Sequence, residues 1–279
     1  MSSARFYEEL GNQSQKILTA HKKKSAISIE TKTRNGIKVK SEITAEKNKD
    51  KYDFDSIITG EYAAQEIAKL TTTFSSDKIA TSKLMMRDNF LKGLRIEISA
   101  RNKPEEGKIK AYYQNQYIST SLDQDFYKPN CAVTLSTGIL PFSAGFQSKM
   151  DLKNKKIDEI NCIAELKLDS FTTELHSKNI KDVLGFSVYL NPVPDLELAG
   201  AISRNFIQKE TDAHLACQFK VSETNKIKTS IDKDLHLQFA VENHFFNWVD
   251  LELSSQLNLK NIKDVKEHDV AVRLNIKAL

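Results

Sequence analysis

The sequence predicts an all-β protein: a single long array of hairpin-connected strands behind a short N-terminal helix. Three observations carry this reading. Apolar and polar residues alternate in most segments from about residue 26 to the end. Turn-forming clusters recur between the alternating segments. The first 25 residues follow a different period. A period of two is that of a strand with one apolar and one polar face.

The N-terminal segment comes first. Phe6, Leu10, Ile17 and Leu18 share one side of a helical projection, and Glu8, Glu9, Gln13 and Lys16 occupy the other. Gly11 weakens the middle of this helix by about 1 kcal/mol relative to alanine. The basic run Lys22-Lys23-Lys24 ends it. Residues 1–25 therefore form an amphipathic helix and hinge, and 26–279 form the sheet.

The strands follow in order. Ile27 and Ile29 alternate with Ser28 and Glu30; Ile37, Val39 and Ile43 alternate with Lys38, Lys40 and Glu42. Leu94, Ile96 and Ile98 oppose Arg95, Glu97 and Ser99, and Ile109, Ala111 and Tyr113 oppose Lys108 and Lys110. Later segments repeat the pattern at Cys162–Leu168, Leu184–Leu190, Leu215–Val221, Leu235–Val241, Val249–Leu257 and Val270–Ile276. Turn clusters separate them: Arg34-Asn35-Gly36, Lys47 to Asp50, Asn102 to Gly107, Asn191 to Asp195 and Glu223-Thr224-Asn225. Two stretches, Ala63–Met86 and Gly138–Met150, read as irregular. About 254 residues at roughly 9–11 per membrane strand plus a turn give about nineteen strands.

Alternation alone is shared by soluble β-sandwiches. Three features favour a transmembrane barrel. No second apolar layer or helix is available to cover so many one-sided strands. The apolar face is nearly free of charge. The strands are long, and the last runs to the end of the chain. The mean hydropathy of −0.45 does not oppose this, because only alternate residues of a barrel strand meet lipid. No run approaches 18 apolar residues, so no transmembrane helix is expected, and no secretory signal pattern precedes the helix.

Other function classes find little support. The net charge of +4, from 41 basic and 37 acidic residues, is too mild for a nucleic-acid binder. Cys131, Cys162 and Cys217 are odd in number and far apart, which fits neither a disulfide framework nor a zinc site. GxGxxG, Walker, HExxH and GxSxG patterns are absent. No catalytic residue, metal or cofactor is expected.

Several stretches resemble one family. Phe6-Tyr7-Glu8-Glu9-Leu10-Gly11 resembles the amino-terminal helix of the voltage-dependent anion channels, the mitochondrial porins. Ile27 to Ile37 is similar to that family's first hairpin, Leu91-Lys92-Gly93-Leu94-Arg95-Ile96 to its Gly-Leu-Lys strand, and Gly107 to Tyr112 to the strand after it. Trp248 to Leu257 and Asp269 to Leu279 match the closing strands. The likeness spans the chain. It implies a nineteen-stranded barrel with parallel first and last strands, a helix inside the lumen, and the mitochondrial outer membrane as location. Nineteen is the established strand number of this family, so its agreement with the count from chain length is not independent support. The chain departs from the family in having only nine glycines, in His21-Lys22-Lys23-Lys24-Ser25 at the glycine-rich hinge, in Thr72 at a lipid-facing glutamate, and in Leu237 to Val241 at a glycine-rich late strand.

The expected function is passive diffusion of ions and small anionic metabolites, such as phosphate and adenine nucleotides. The expected pore-lining residues are Lys38, Lys40, Arg95, Lys108, Lys110, Lys220, Arg273 and Lys277, with Glu30, Glu42, Glu97, Asp250 and Glu252 on the same face. Leu10, Ile17 and Leu18 anchor the gating helix to the wall, with Lys16 on its polar side. Expected partners are membrane lipids, the permeant anions and nucleotides, and a second copy or other outer-membrane proteins; no nucleic acid is expected. Two alternatives stay open: a protein-import pore of the same membrane, and a non-conducting barrel with a scaffold or lipid-handling role.

Overall fold

The structure is a computed structural model. It describes residues 4–10, 12–19, 24–33, 36–48, 51–64, 67–88, 91–102, 107–139, 141–180, 182–245, 248–261 and 268–277. A 3-10 turn (Tyr7–Glu9) and a seven-residue helix α1 (Asn12–Leu18) precede nineteen strands. These are β1 (Ser25–Lys32), β2 (Lys38–Asn48), β3 (Lys51–Ala64), β4 (Ala68–Ser75), β5 (Ala80–Arg87), β6 (Leu94–Arg101), β7 (Gly107–Gln114), β8 (Ile118–Asp125), β9 (Asn130–Ile139) and β10 (Phe142–Asp151). They continue as β11 (Lys156–Lys167), β12 (Phe171–Lys178), β13 (Val183–Val193), β14 (Leu196–Asn205), β15 (Glu210–Lys220), β16 (Asn225–Asp232), β17 (His236–Phe245), β18 (Val249–Asn258) and β19 (Asp269–Lys277).

Each strand pairs antiparallel with the next in sequence. The ends then meet: β1 pairs parallel with β19, with Ala26 opposite Arg273 and Glu30 opposite Lys277. An odd strand count forces one parallel seam, because up-and-down alternation leaves the first and last strands pointing the same way. Along the seam Ser28 Oγ donates to Asn275 Oδ1 at 2.7 Å, and Ser25 Oγ accepts from the Val272 amide at 3.2 Å. No helix among the described residues is long and apolar enough to cross a membrane; the strands do the crossing.

The register assigns the two faces. Ala26, Thr44 and Asp55 lie in one row across β1–β3, and Ile27, Ile43 and Ser56 in the next. One parity carries the large exposed apolar side chains, among them Phe54 at 72% exposure, Leu215 at 64%, Ile43, Ile58 and Val272. The other parity carries buried Ser28, Thr44, Glu97, Ser119, Thr134, Glu165 and Glu174. Aliphatic groups turned outward and polar groups turned inward invert the arrangement of a water-soluble domain. Such an outer surface is stable only in lipid. A dry sandwich interior is excluded, since the rows of aliphatic side chains do not pack on one another across a second layer.

The stretches read from sequence as irregular are regular strands. Ala63–Met86 supplies the end of β3, β4 and most of β5, and Gly138–Met150 supplies the end of β9 and β10. Their outward side carries Leu70, Phe74, Phe142 and Phe146, but the alternation is blurred where Thr72 stands between Gly60 and Ser82 and where Met85 takes the inward side opposite Glu97; the pairing is intact. Asn191-Pro192-Val193 also differs from its turn reading. β13 runs through it, with a register shift between Leu190 and Val193, which accommodates a proline that lacks a ladder donor. With so few glycines, tight turns place Lys78, Lys155, Asn179, Ile180, Lys209 and Leu235 at positive φ. Gly93 is different: at φ +86° its absent Cβ would lie 2.1 Å from the Gln114 carbonyl oxygen, so this turn admits only glycine.

Face assignment gives a direct test. Leu215→Arg, at the middle of β15 on the outer face, should cost about 2–4 kcal/mol of folding stability in a bilayer. Gln218→Arg, on the inner face of the same strand, should cost far less. Denaturant titration of the refolded protein in lipid vesicles measures both.

Candidate functional site

The candidate site is the inner wall together with the N-terminal segment that lies on it. The segment is not one continuous helix. The 3-10 turn Tyr7–Glu9 ends at Leu10, whose backbone is extended (φ −70°, ψ 137°), and α1 begins at Asn12. Phe6 and Leu10 therefore do not share a helical face with Ile17 and Leu18, contrary to what the spacing alone suggests. Gly11, the expected weak point, lies outside the described residues.

Each piece is seated by different chemistry. The Ala4 amide donates to the Asn115 carbonyl at 3.2 Å, and the Gln114 side-chain amide donates to the Ala4 carbonyl at 2.5 Å. The Arg5 carbonyl lies 2.6 Å from the hydroxyls of both Ser119 and Ser136, which are 2.7 Å from each other. The Arg5 guanidinium donates to Glu165. The Phe6 ring meets Tyr112 edge-on at 5.5 Å between centroids. Arg95 stands over both rings, 4.1 Å from the Tyr112 centroid and 5.6 Å from that of Phe6, within cation–π range. The Phe6 amide donates to Glu9 Oε2 at 3.1 Å.

Further along, Leu10 and Tyr7 enter a gap over Gly145. A Cβ there would lie 2.7 Å from Tyr7 Cδ2, 3.0 Å from Leu10 Cδ1 and 3.1 Å from Ile163 Cγ2. The helix α1 then lies on β13–β16. Ile17, 2% exposed, packs on Ala199 and Ala216, which face each other in register, with Leu18 and Tyr189 beside them. Small side chains at 199 and 216 let the helix approach the wall. Ser14 Oγ lies 3.1 Å from Ser187 Oγ, and Thr172 Oγ1 donates to Gln13 Oε1 at 3.0 Å. Lys16 is exposed and borders a cleft of about 700 Å³ with Gln218, Lys226 and Lys228. Burial, ahead of the negative groups around it, pushes the Tyr7 phenol up to about 12, and burial also lowers the Arg5 value.

All of these wall contacts fall on the polar parity, so the segment sits on the lumen side. The same parity holds every basic residue expected to line the pore. Lys38, Lys40, Arg95, Lys108, Lys110, Lys220, Arg273 and Lys277 all share rows with inward neighbours. Their surroundings differ. Lys40 pairs with Glu42 at 2.6 Å, Lys110 with Asp123 at 2.7 Å and Lys277 with Asp250 at 3.0 Å. Arg95 lies 3.5 Å from Glu97, which Lys83 also pairs at 2.6 Å. Lys38, Lys108 and Lys220 make no ion pair among the described residues. Arg273 donates from Nε to the Lys24 carbonyl at 3.3 Å, and Lys24 pairs with Glu46 at 2.8 Å. This fixes the point where the N-terminal segment enters β1. Lys22 and Lys23, which with Lys24 form the basic run, lie outside the described residues.

The wall thus presents both signs of charge in pairs within a strand and across neighbouring strands. Pairs in a wet lumen contribute little stability; they set the local field that a passing ion meets. Residues that seat the segment, namely Ser119, Ser136, Gly145, Glu165, Ala199 and Ala216, carry no distinguishing mark in the sequence beyond their parity.

Known proteins give a consistent picture. The sequence model of a family described as eukaryotic porin matches residues 4–270. A Xenopus laevis protein named non-selective voltage-gated ion channel VDAC2 is 21% identical, covering 98% of each chain. The Homo sapiens protein named non-selective voltage-gated ion channel VDAC1 is also 21% identical, covering 98% of each. Among solved structures, a mutant of the Rh. blastica porin superposes with a TM-score of 0.53 at 8% identity, over 79% of this chain and 89% of that one. The last likeness concerns the barrel fold alone.

The seat over Gly145 can be tested by filling it. Gly145→Val should overpack the gap by about 1–3 kcal/mol and lift Tyr7 and Leu10. Amide hydrogen exchange across residues 4–19 should then accelerate by roughly tenfold, while exchange in β15–β19 stays at the wild-type rate.

Proposed function

The chain belongs to the eukaryotic porin family, and from that membership we propose that it is a passive channel of the mitochondrial outer membrane that carries ions and small anionic metabolites. The barrel and the family make it a porin, and the names of its relatives, voltage-gated ion channels, support reading it as a channel. The permeants, the organelle and the role of the N-terminal segment are our reading. The observation that carries it is the inverted barrel: nineteen strands closed by a parallel seam, greasy outside and charged within. Side chains fill the inside of an eight-stranded barrel, whereas barrels of sixteen or more strands leave an aqueous channel.

On this reading no step is chemical. Solutes move down their gradients, and the wall acts through width and field. Lys38, Lys40, Arg95, Lys108, Lys110, Lys220, Arg273 and Lys277 supply the positive part of that field. The carboxylates paired with several of them keep ion preference mild. The segment 4–19 occupies lumen volume on one side, along β7–β16, and narrows the path. Leu10, Ile17 and Leu18 hold it there, and Lys16 faces the permeant. Phosphate and adenine nucleotides are small enough and of the right sign to pass. The expected surroundings are membrane lipids and other outer-membrane proteins, including further copies of the chain.

Purified protein refolded in detergent and added to planar bilayers should give large stepwise conductance with a mild anion preference. The double variant Lys108→Glu, Lys220→Glu should move the zero-current potential toward that of the cation while leaving step size nearly unchanged. Correctly folded protein with no conductance would sink the channel reading. If deletion of residues 1–18 then opened the silent barrel, the non-conducting alternative would take its place. Crosslinking of a presequence peptide inside the lumen would favour the import-pore alternative.

A further inference from the structure

We propose that Glu165 and Glu174 are positioning residues, a carboxylate pair that forms a proton-operated latch holding the N-terminal segment to the lumen wall through Arg5. The proposal rests on the reading of residues 4–19 as the element that narrows the pore, and it names what holds that element in place.

The two glutamates stand directly opposite each other on β11 and β12. Each is only 4% exposed. Like charges facing across an antiparallel pair destabilise it, and burial sharpens the cost. The wall around them holds few charged groups. From β10, Ser143 and Gly145 face β11 at Glu165 and Ile163 and bring no charge. On β11 itself the next inward group toward the strand end is Lys167, and Glu159 adds a further negative charge toward the other. On β13, Ser187 faces Glu174 and donates to its Oε2 at 3.1 Å; Tyr189 follows, opposite Thr172. On β12, His176 Nδ1 lies 3.2 Å from Glu174 Oε1, within ion-pair range but with an angle that makes no hydrogen bond. The N-terminal segment brings Arg5, which pairs with Glu165, together with Tyr7 and Glu9. Glu9 is already engaged by the Phe6 amide.

Arg5 is a permanent cation paired with this couple, and it arrives only when the segment is seated. His176 occupies a built position. Its ring lies over Gly185, where a Cβ would be 2.2 Å from Nε2, so glycine at that position is what admits the imidazole. The latch also reaches the second half of the segment. Glu174 bonds Ser187, and Ser187 lies 3.1 Å from Ser14 on α1.

Protonating the couple removes the charge that holds Arg5, and by reciprocity a seated Arg5 opposes protonation. The latch is therefore expected to loosen when acid protonates the couple.

The test uses the full chain in lipid nanodiscs, with Cys131, Cys162 and Cys217 replaced by serine and a nitroxide on Lys16→Cys. The β circular dichroism signal confirms folding of each variant. The wild-type label should be immobilised at neutral pH and should gain mobility as pH falls to about 4, the ordinary carboxylate range. Glu165→Gln should be mobile at neutral pH and lose the transition. Glu174→Gln keeps the acceptor for Ser187 and removes the like charge, so its transition should shift to lower pH. A wild-type label whose mobility is constant across this range, or a Glu165→Gln label as immobile as wild type, would overturn the latch. An unshifted transition in Glu174→Gln would overturn the pair in favour of Glu165 alone. Parallel bilayer recordings separate the two readings: a label that loosens while conductance stays fixed supports the latch and sinks the gating role.

Discussion

Everything in this structure follows from one constraint on the backbone. Inside a bilayer, peptide N–H and C=O groups have no water to bond, and each must find a partner in the protein. A sheet satisfies this only by closing on itself, since an open edge would leave a row of unpaired groups in lipid. The parallel ladder from Ala26–Arg273 to Glu30–Lys277 is where that closure is made. Once it is made, the pleat assigns every strand residue to lipid or to lumen. The apolar exterior and the charged interior are consequences of parity, not separate features.

The lumen then becomes a surface on which a further element can fold. The segment before β1 is too short and too polar to be stable alone: α1 has seven residues, well below the length at which isolated helices persist in water. Its order comes from the wall. Serine hydroxyls satisfy the Arg5 carbonyl, a missing side chain at Gly145 admits Leu10 and Tyr7, and two alanines admit Ile17. The inner wall is thus shaped in two ways. Long charged side chains project where the lumen is open, and small ones recede where the segment lies. The linker end is tied as well, by Arg273 and Glu46 acting on Lys24, in place of a flexible glycine-rich stretch.

Electrostatics in this wall is local. Lys–Asp and Lys–Glu pairs, within a strand or across two, offset one another at hydrogen-bonding distance, and Arg95 serves as a platform for Phe6 and Tyr112 as much as a charge in the pore. Adjacent charges of both signs accord with the proposed passive route. The buried Glu165–Glu174 pair departs from that pattern. There, like charges adjoin and the compensating cation belongs to the segment.

Residue order alone establishes the strand period, the parity of most strands and the face that the lysines and arginines expected in the pore share. These are local properties: side chains alternate every residue whatever the rest of the chain does. The period is harder to see where an outward row holds Gly60, Thr72 and Ser82 or where Met85 lies on the inward side, because such positions break the local contrast on which the reading depends. Where the N-terminal segment breaks, and what receives it, emerges from the closed barrel. Arg5 meets Ser119, Ser136 and Glu165, and Ile17 meets Ala199 and Ala216, partners more than a hundred residues away. Which wall residues meet that segment depends on strand number, register and the curvature of the closed sheet. No stretch of residues carries that information until the barrel has closed.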